Sequence, residues 1–151
     1  MKKLTLTILI VITSVQLYAQ QTATDSIKQT ISTLFDGMRK GDSTIVKSTF
    51  AKNMVLQSIS DGKDGKAVLS TDNANDFARS VGTPHAQAYD ERIVYDMIRI
   101  GGDLAIVWAP YKFYLGDKFH HCGVDSFQLM RTPAGWKIIY IVDTRRKTSC
   151  D

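Results

Sequence analysis

The sequence predicts an α+β domain, with N-terminal helices packed on one face of a strongly curved antiparallel sheet. Three observations predict it. Apolar residues recur at helical spacing from Ile27 to Met38. Beyond Pro84, long apolar stretches alternate with the short turn signals GGD, GDK and TPAG, and long strands joined by short turns are antiparallel neighbours. Pro110 and Gly123 stand inside strand-like runs. There a missing ladder donor and a missing side chain allow sharp bending.

The chain opens with MKKLTLTILIVITSVQLYAQ: a basic start at Lys2 and Lys3, an apolar run from Leu4 to Val15, and Ala19 ahead of two glutamines. That is the layout of a secretory signal peptide, and the run is short for a membrane span. Residues 1–19 are therefore expected to be removed near Ala19, leaving 20–151 as one domain in the periplasm or secreted, with no membrane contact. An uncleaved anchor is the alternative. Losing Lys2 and Lys3 lowers the net charge from +4 to +2. The one basic cluster, Arg145 to Lys147, reads as a solvated end, so no nucleic-acid partner is expected.

The first helix is expected in TDSIKQTISTLFDGMRKGD, capped by Thr24 or Asp25 and closed by Gly41. Asp42 or Ser43 caps a second, STIVKSTFA. NMVLQSIS reads as a strand and SDGKDGK as a loop, which matches a calcium loop only loosely. TDNANDFARSVG reads as a third helix, capped by Thr71 or Asp72. Four strand runs follow: RIVYDMIRI, LAIVWAPYKFYL, FHHCGVDSFQLMR and WKIIYIVDTRR.

The turns set the expected registers. TPAG places Arg131 opposite Trp136, which pairs Phe127 with Tyr140 and Asp125 with Val142. GDK places Leu115 opposite Phe119, which pairs Phe113 with His121, Tyr111 with Gly123 and Ala109 with Asp125. Both define one apolar face containing Val107, Tyr111, Phe113, Phe127, Leu129, Ile138, Tyr140 and Val142, with two polar residues on it, His121 and Asp125. His120, Cys122, Asp143 and Arg145 fall on the other face among Ile106, Trp108, Ile139 and Ile141. That face is too apolar to be fully wet, and a second copy of the chain is the expected cover.

Asp125, set among Phe127, Ala109 and Val142, is a candidate general acid or base, because desolvation raises a carboxyl pKa toward neutrality. It is equally readable as a structural acid bonded to backbone amides or to Arg92 or Arg99. His121 is a candidate second proton carrier or a rim residue. Tyr111, Phe113, Phe127 and Tyr140 either line an apolar ligand pocket or fill the core. Because strand neighbours alternate sides, the run HHC cannot serve one metal, and no metal site is expected. Cys122 and Cys150 either bridge, as exported cysteines do, or stay free. No nucleophile elbow, zinc-protease helix, phosphate loop or dinucleotide fingerprint occurs, and no cofactor is expected.

Taken together, the paired helices, the curved meander and the closing GWKI strand resemble the nuclear transport factor 2-like superfamily, which includes ketosteroid isomerases and polyketide-cyclase-like proteins. Within it, GGDLAIVWAPYKFY, HCGVDSFQLMR and GWKIIYIVDTRR look most like the small exported bacterial proteins of the putative lumazine-binding family. The resemblance implies a cone-shaped barrel, commonly dimeric, with a cavity between helices and sheet. It also implies that the strands carrying Asp125 and Tyr140 line that cavity. Three functions follow as expectations. The first is a binding protein for a flat, partly apolar small molecule. The second is an isomerase, dehydratase or cyclase-like enzyme using Asp125 for proton transfer. The third is an interaction module that uses the outer sheet face.

Overall fold

The computed structural model describes residues 22–150; the expected signal segment, 1–19, lies outside the described residues. Helix α1 spans 22–40, so Thr24 and Asp25 sit within it rather than capping it. Its spacing places Ile27, Ile31, Leu34, Phe35 and Met38 on one buried face. Burying Ile27 and Ile31 completely contributes about 1.5–3 kcal/mol each. Gly41, at φ 65°, turns the chain as only glycine does readily. Asp42 then caps α2 (Ser43–Ser48), accepting hydrogen bonds from the backbone N–H groups of Thr44 and Ile45.

Strand β1 (Phe50–Asp61) turns through the glycine-rich loop into β2 (Ala67–Asp72). Sequence reading does not anticipate β2, whose residues are all exposed. Asn73, not Thr71 or Asp72, caps α3 (Ala74–Gly82). The run RIVYDMIRI divides into β3 (Tyr89–Ile93) and β4 (Met97–Gly101). Both pair with β5 (Leu104–Leu115), on either side of Pro110. Pro110 accepts from the Val94 N–H but has no N–H to return, and the ladder is interrupted there.

β6 (Lys118–Thr132) and β7 (Gly135–Arg145) complete a curved, unclosed sheet of order β2-β1-β7-β6-β5-β3, with β4 beside β3 on the far edge of β5. β1 runs parallel to β7 and every other pair is antiparallel. The helices bury their apolar faces against Val107, Phe127, Leu129 and Ile138.

The β5–β6 register follows the GDK turn from Val107↔Phe127 to Phe113↔His121. One extra residue near the turn then pairs Leu115 with Lys118, not Phe119. On β7 the expected register holds at Arg131↔Trp136 and Leu129↔Ile138 and then fails. A bulge at Ile139 moves Tyr140 opposite Gln128, Ile141 opposite Phe127 and Asp143 opposite Asp125. One additional residue reverses every later side chain. Tyr140 and Val142, expected inside, face out; Ile141, Asp143 and Arg145, expected outside, face in. Tyr140 donates its hydroxyl to Gln57 Oε1 on the outer side.

Candidate functional site

Asp125 sits on β6 and is 3 % exposed. The register brings two further carboxyls to it. Glu91, on β3, comes in beside Phe113, and Asp143 comes in from β7 because of the Ile139 bulge. Glu91 and Asp125 are neighbouring carboxyls in this cluster and act on each other's ionisation. Burial pushes Glu91 up to about 7 and Asp125 well above the ordinary carboxylate range. The pair therefore keeps at least one proton near neutral pH.

Asp143 is held differently. Its Oδ2 accepts from Arg145 Nε at 2.7 Å, two residues along the same face. The Tyr111 hydroxyl lies 3.3 Å from the same oxygen and donates to the Thr144 carbonyl at 2.9 Å. Arg145 is about half exposed and marks the water-facing end of the cluster. Among the described residues, two carboxylate oxygens are buried with no hydrogen-bond partner, Asp125 Oδ2 and Asp143 Oδ1. Ser58 Oγ, on the residue opposite Asp143, is left in the same way.

These acids line a cavity of about 60 Å³ between sheet and helices. Leu34, Phe35 and Met38 of α1 and Phe77 of α3 form one wall; Leu56, Phe127 and Ile141 of the sheet form the other. Phe127 is its floor, edge-on to Phe35 with ring centres 6.2 Å apart. The site is thus an apolar slot with three acids and one arginine along one side.

Other candidates lie elsewhere. His121 packs against Phe113 and Tyr111, with ring centres 4.9 and 5.6 Å away. Burial and the Arg145 charge lower its pKa to about 4, which keeps it neutral at ordinary pH. Neither His121 nor Phe113 lines the cavity. Tyr111 is kept un-ionised by burial and by Asp143, and its hydroxyl is occupied by protein acceptors. Tyr140 is on the other face. Cys122 and Cys150 form a disulfide. Among the described residues, no group of three or more His, Cys, Asp or Glu is gathered for a metal ion, and no helix is long and apolar enough to cross a membrane.

Sequence reading missed Glu91, Asp143 and Arg145. A signal for Glu91 exists: it alternates with Tyr89 and Ile93, so a period of two puts it on their apolar side. No comparable signal marks Asp143. The continuous apolar run Ile138-Ile139-Tyr140-Ile141 hides the bulge.

The fold recurs among solved structures. A nuclear transport factor 2-like protein of unknown function from Shewanella baltica OS155 aligns at 17 % identity and TM-score 0.65, over 87 % of this chain and 98 % of that one. A nuclear transport factor 2-like protein with a cystatin-like fold from Novosphingobium aromaticivorans aligns at 12 % identity and TM-score 0.70, over 89 % of each chain. A protein described as a putative dehydratase of the same fold family, from Streptomyces avermitilis, aligns at 16 % identity and TM-score 0.61, over 84 % of this chain and 98 % of that one. At such identities the likeness concerns the fold alone. No curated protein matches the sequence. A family model described as "Putative lumazine-binding" matches residues 22–142, a range that includes Glu91 and Asp125 and stops one residue before Asp143, and the chain belongs to that family, on a nuclear transport factor 2-like fold.

Proposed function

We propose that this protein binds a small, flat, partly apolar molecule in the cavity between α1, α3 and the sheet. The observation that carries the reading is the pair of buried, unpartnered carboxylate oxygens, Asp125 Oδ2 and Asp143 Oδ1. A ligand bearing N–H or O–H groups would satisfy them, and a hydrogen bond is worth about 0.5–1.5 kcal/mol net. Phe35, Phe127 and Ile141 supply apolar walls. The family description adds a chemical class: lumazine is a flat heterocycle with N–H donors. Sites for drug-sized ligands run to about 300 Å³ or more. Seating a bicyclic ring therefore requires the helix-side wall, Met38 and Phe77, to move outward.

The test is to follow lumazine's own fluorescence as protein is added. Saturable binding that Asp125→Ala, which removes the acceptor, weakens tenfold or more is expected. No saturation at millimolar protein, or equal affinity in the variant, rejects the reading.

A second reading follows from the burial that pushes Glu91 up to about 7, since a general base works best with a pKa near the operating pH. In that case the same slot abstracts or returns a proton beside a carbonyl. Turnover of enolisable ketones that survives both Asp125→Asn and Glu91→Gln removes it. Two attributes accompany either reading. Export is supported by the Cys122–Cys150 disulfide, which persists in oxidising compartments. A homodimer, or another partner, on the outer sheet face is supported by the exposure of Val55, Ile106, Trp108 and Met130.

A further inference from the structure

A row of residues crosses three strands, β3, β5 and β6, and reaches the residue just past β7, on the face opposite Asp125. Arg92 pairs with Lys112, Lys112 with Cys122, and Cys122 with Arg146. Paired residues project to the same side of a sheet. The row therefore reads cation, cation, disulfide, cation. Reciprocal backbone hydrogen bonds of 2.9 Å between Cys122 and Arg146 fix its last member. The Cys122–Cys150 disulfide folds the C-terminal tail back beside it.

This row lines a cavity of about 350 Å³, separate from the slot that holds Asp125. The volume is at the lower end of the range for small-molecule sites. Arg92, Lys112 and Arg146 line it, and no acid does. Val94, Pro110 and the ring of Tyr114 give it apolar surface. Like charges directly opposite on neighbouring strands destabilise a sheet unless something neutralises them. Asp90 neutralises Arg92 in part, with Oδ2 2.7 Å from Nε, and the guanidinium lies 4.2 Å over the Tyr114 ring. Among the described residues, Lys112 and Arg146 have no carboxylate partner. Arg146 Nε donates to a carbonyl, that of Ser149.

We propose that this cavity is a second ligand site, which takes a small organic anion: a phosphate or carboxylate on an aromatic body. The guanidinium of Arg146 and the ammonium of Lys112 hold the anionic group, as such donors hold phosphate and carboxylate oxygens generally. Tyr114, Val94 and Pro110 cover the body. The site has the opposite charge preference to the acid-lined slot, so the two do not compete for one ligand. The inference does not depend on what the slot binds. Because the cations are exposed, affinity falls as salt rises.

Phenyl phosphate is the probe. Phenyltrimethylammonium supplies the same body with the opposite charge, and inorganic phosphate supplies the anionic group alone. Binding is followed at low salt by amide chemical shifts on the full folded chain, disulfide intact. The expected result is saturable phenyl phosphate binding with shifts at Lys112, Tyr114 and Arg146, no matching shifts with phenyltrimethylammonium, and weaker binding of inorganic phosphate. The double substitution Lys112→Gln with Arg146→Gln weakens phenyl phosphate tenfold or more. Both side chains are exposed, and an unchanged amide spectrum elsewhere shows that the variant folds. Shifts that gather at Glu91 and Asp143, affinity unmoved by the double substitution, or equal binding of the cationic probe overturns the proposal. Inorganic phosphate binding as tightly as phenyl phosphate overturns the aromatic body.

Discussion

Replacing Glu91 by Gln should stabilise the protein at high pH and leave it nearly unchanged at low pH. A carboxyl whose pKa is higher folded than unfolded favours folding while it is protonated. Its contribution is complete below the unfolded pKa and disappears as pH rises through the folded value. Glu91 moves from the usual 4.5 to about 7, and Asp125 moves in the same direction from 3.8. Stability should therefore fall as pH rises from about 4.5 through 7, by up to about 1.4 kcal/mol per pH unit while one proton is taken up on folding. The Glu91 displacement alone corresponds to about 3 kcal/mol. Relaxation around a buried charge lowers the realised figure, and about 2 kcal/mol is expected. The substituted side chain carries no ionisation, and its amide can still hydrogen-bond to Asp125. Urea unfolding at pH 4 and pH 8, wild type against variant, measures the difference, since other titrating groups cancel between them. With a slope of about 1.5 kcal/mol per molar urea, the variant midpoint should exceed the wild type by about 1.3 M at pH 8. At pH 4 the two should agree within about 0.3 M. A variant destabilised equally at both pH values refutes the reasoning. Glu91 would then be an ionised structural acid held by its neighbours.

Gly123→Ala should cost more than about 3 kcal/mol, because an added Cβ would overlap the Thr144 carbonyl oxygen of β7. Loss of soluble protein or a collapsed urea midpoint reads it out, and a normal midpoint contradicts that close approach. Cys150→Ser opens a loop closed across 28 residues, so about 2–4 kcal/mol of stability should disappear, seen as a lower melting temperature in non-reducing buffer. Tyr140→Phe should leave lumazine binding unaltered and cost only the Gln57 hydrogen bond, about 0.5–1.5 kcal/mol; weakened binding would return Tyr140 to the cavity side.

Several parts of the architecture are local chemistry and can be read without coordinates. Apolar spacing in α1 and the glycine at position 41 specify a helix and its end. The GDK and TPAG turns specify antiparallel neighbours, and most of the β5–β6 register follows from the first of them. Asp125 stands out because it interrupts an alternating apolar pattern, and that pattern survives in β6.

The rest of the candidate site depends on contacts between residues far apart in the chain. The β1–β7 pairing is parallel and joins segments separated by most of the chain, with no turn to announce it. Glu91 reaches Asp125 across β5, through two registers on either side of the Pro110 interruption. Asp143 and Arg145 enter the cavity only because β7 carries one residue more than β6 between Leu129 and Gln128. A period of two has no memory of such an insertion, and one unpaired residue exchanges the inside and outside of everything after it. Local pattern is therefore enough for the helices, the meander and one buried acid. It takes the assembled sheet to bring three acids and an arginine together, because strand faces beyond a bulge are set by the neighbouring strand and not by the residues themselves.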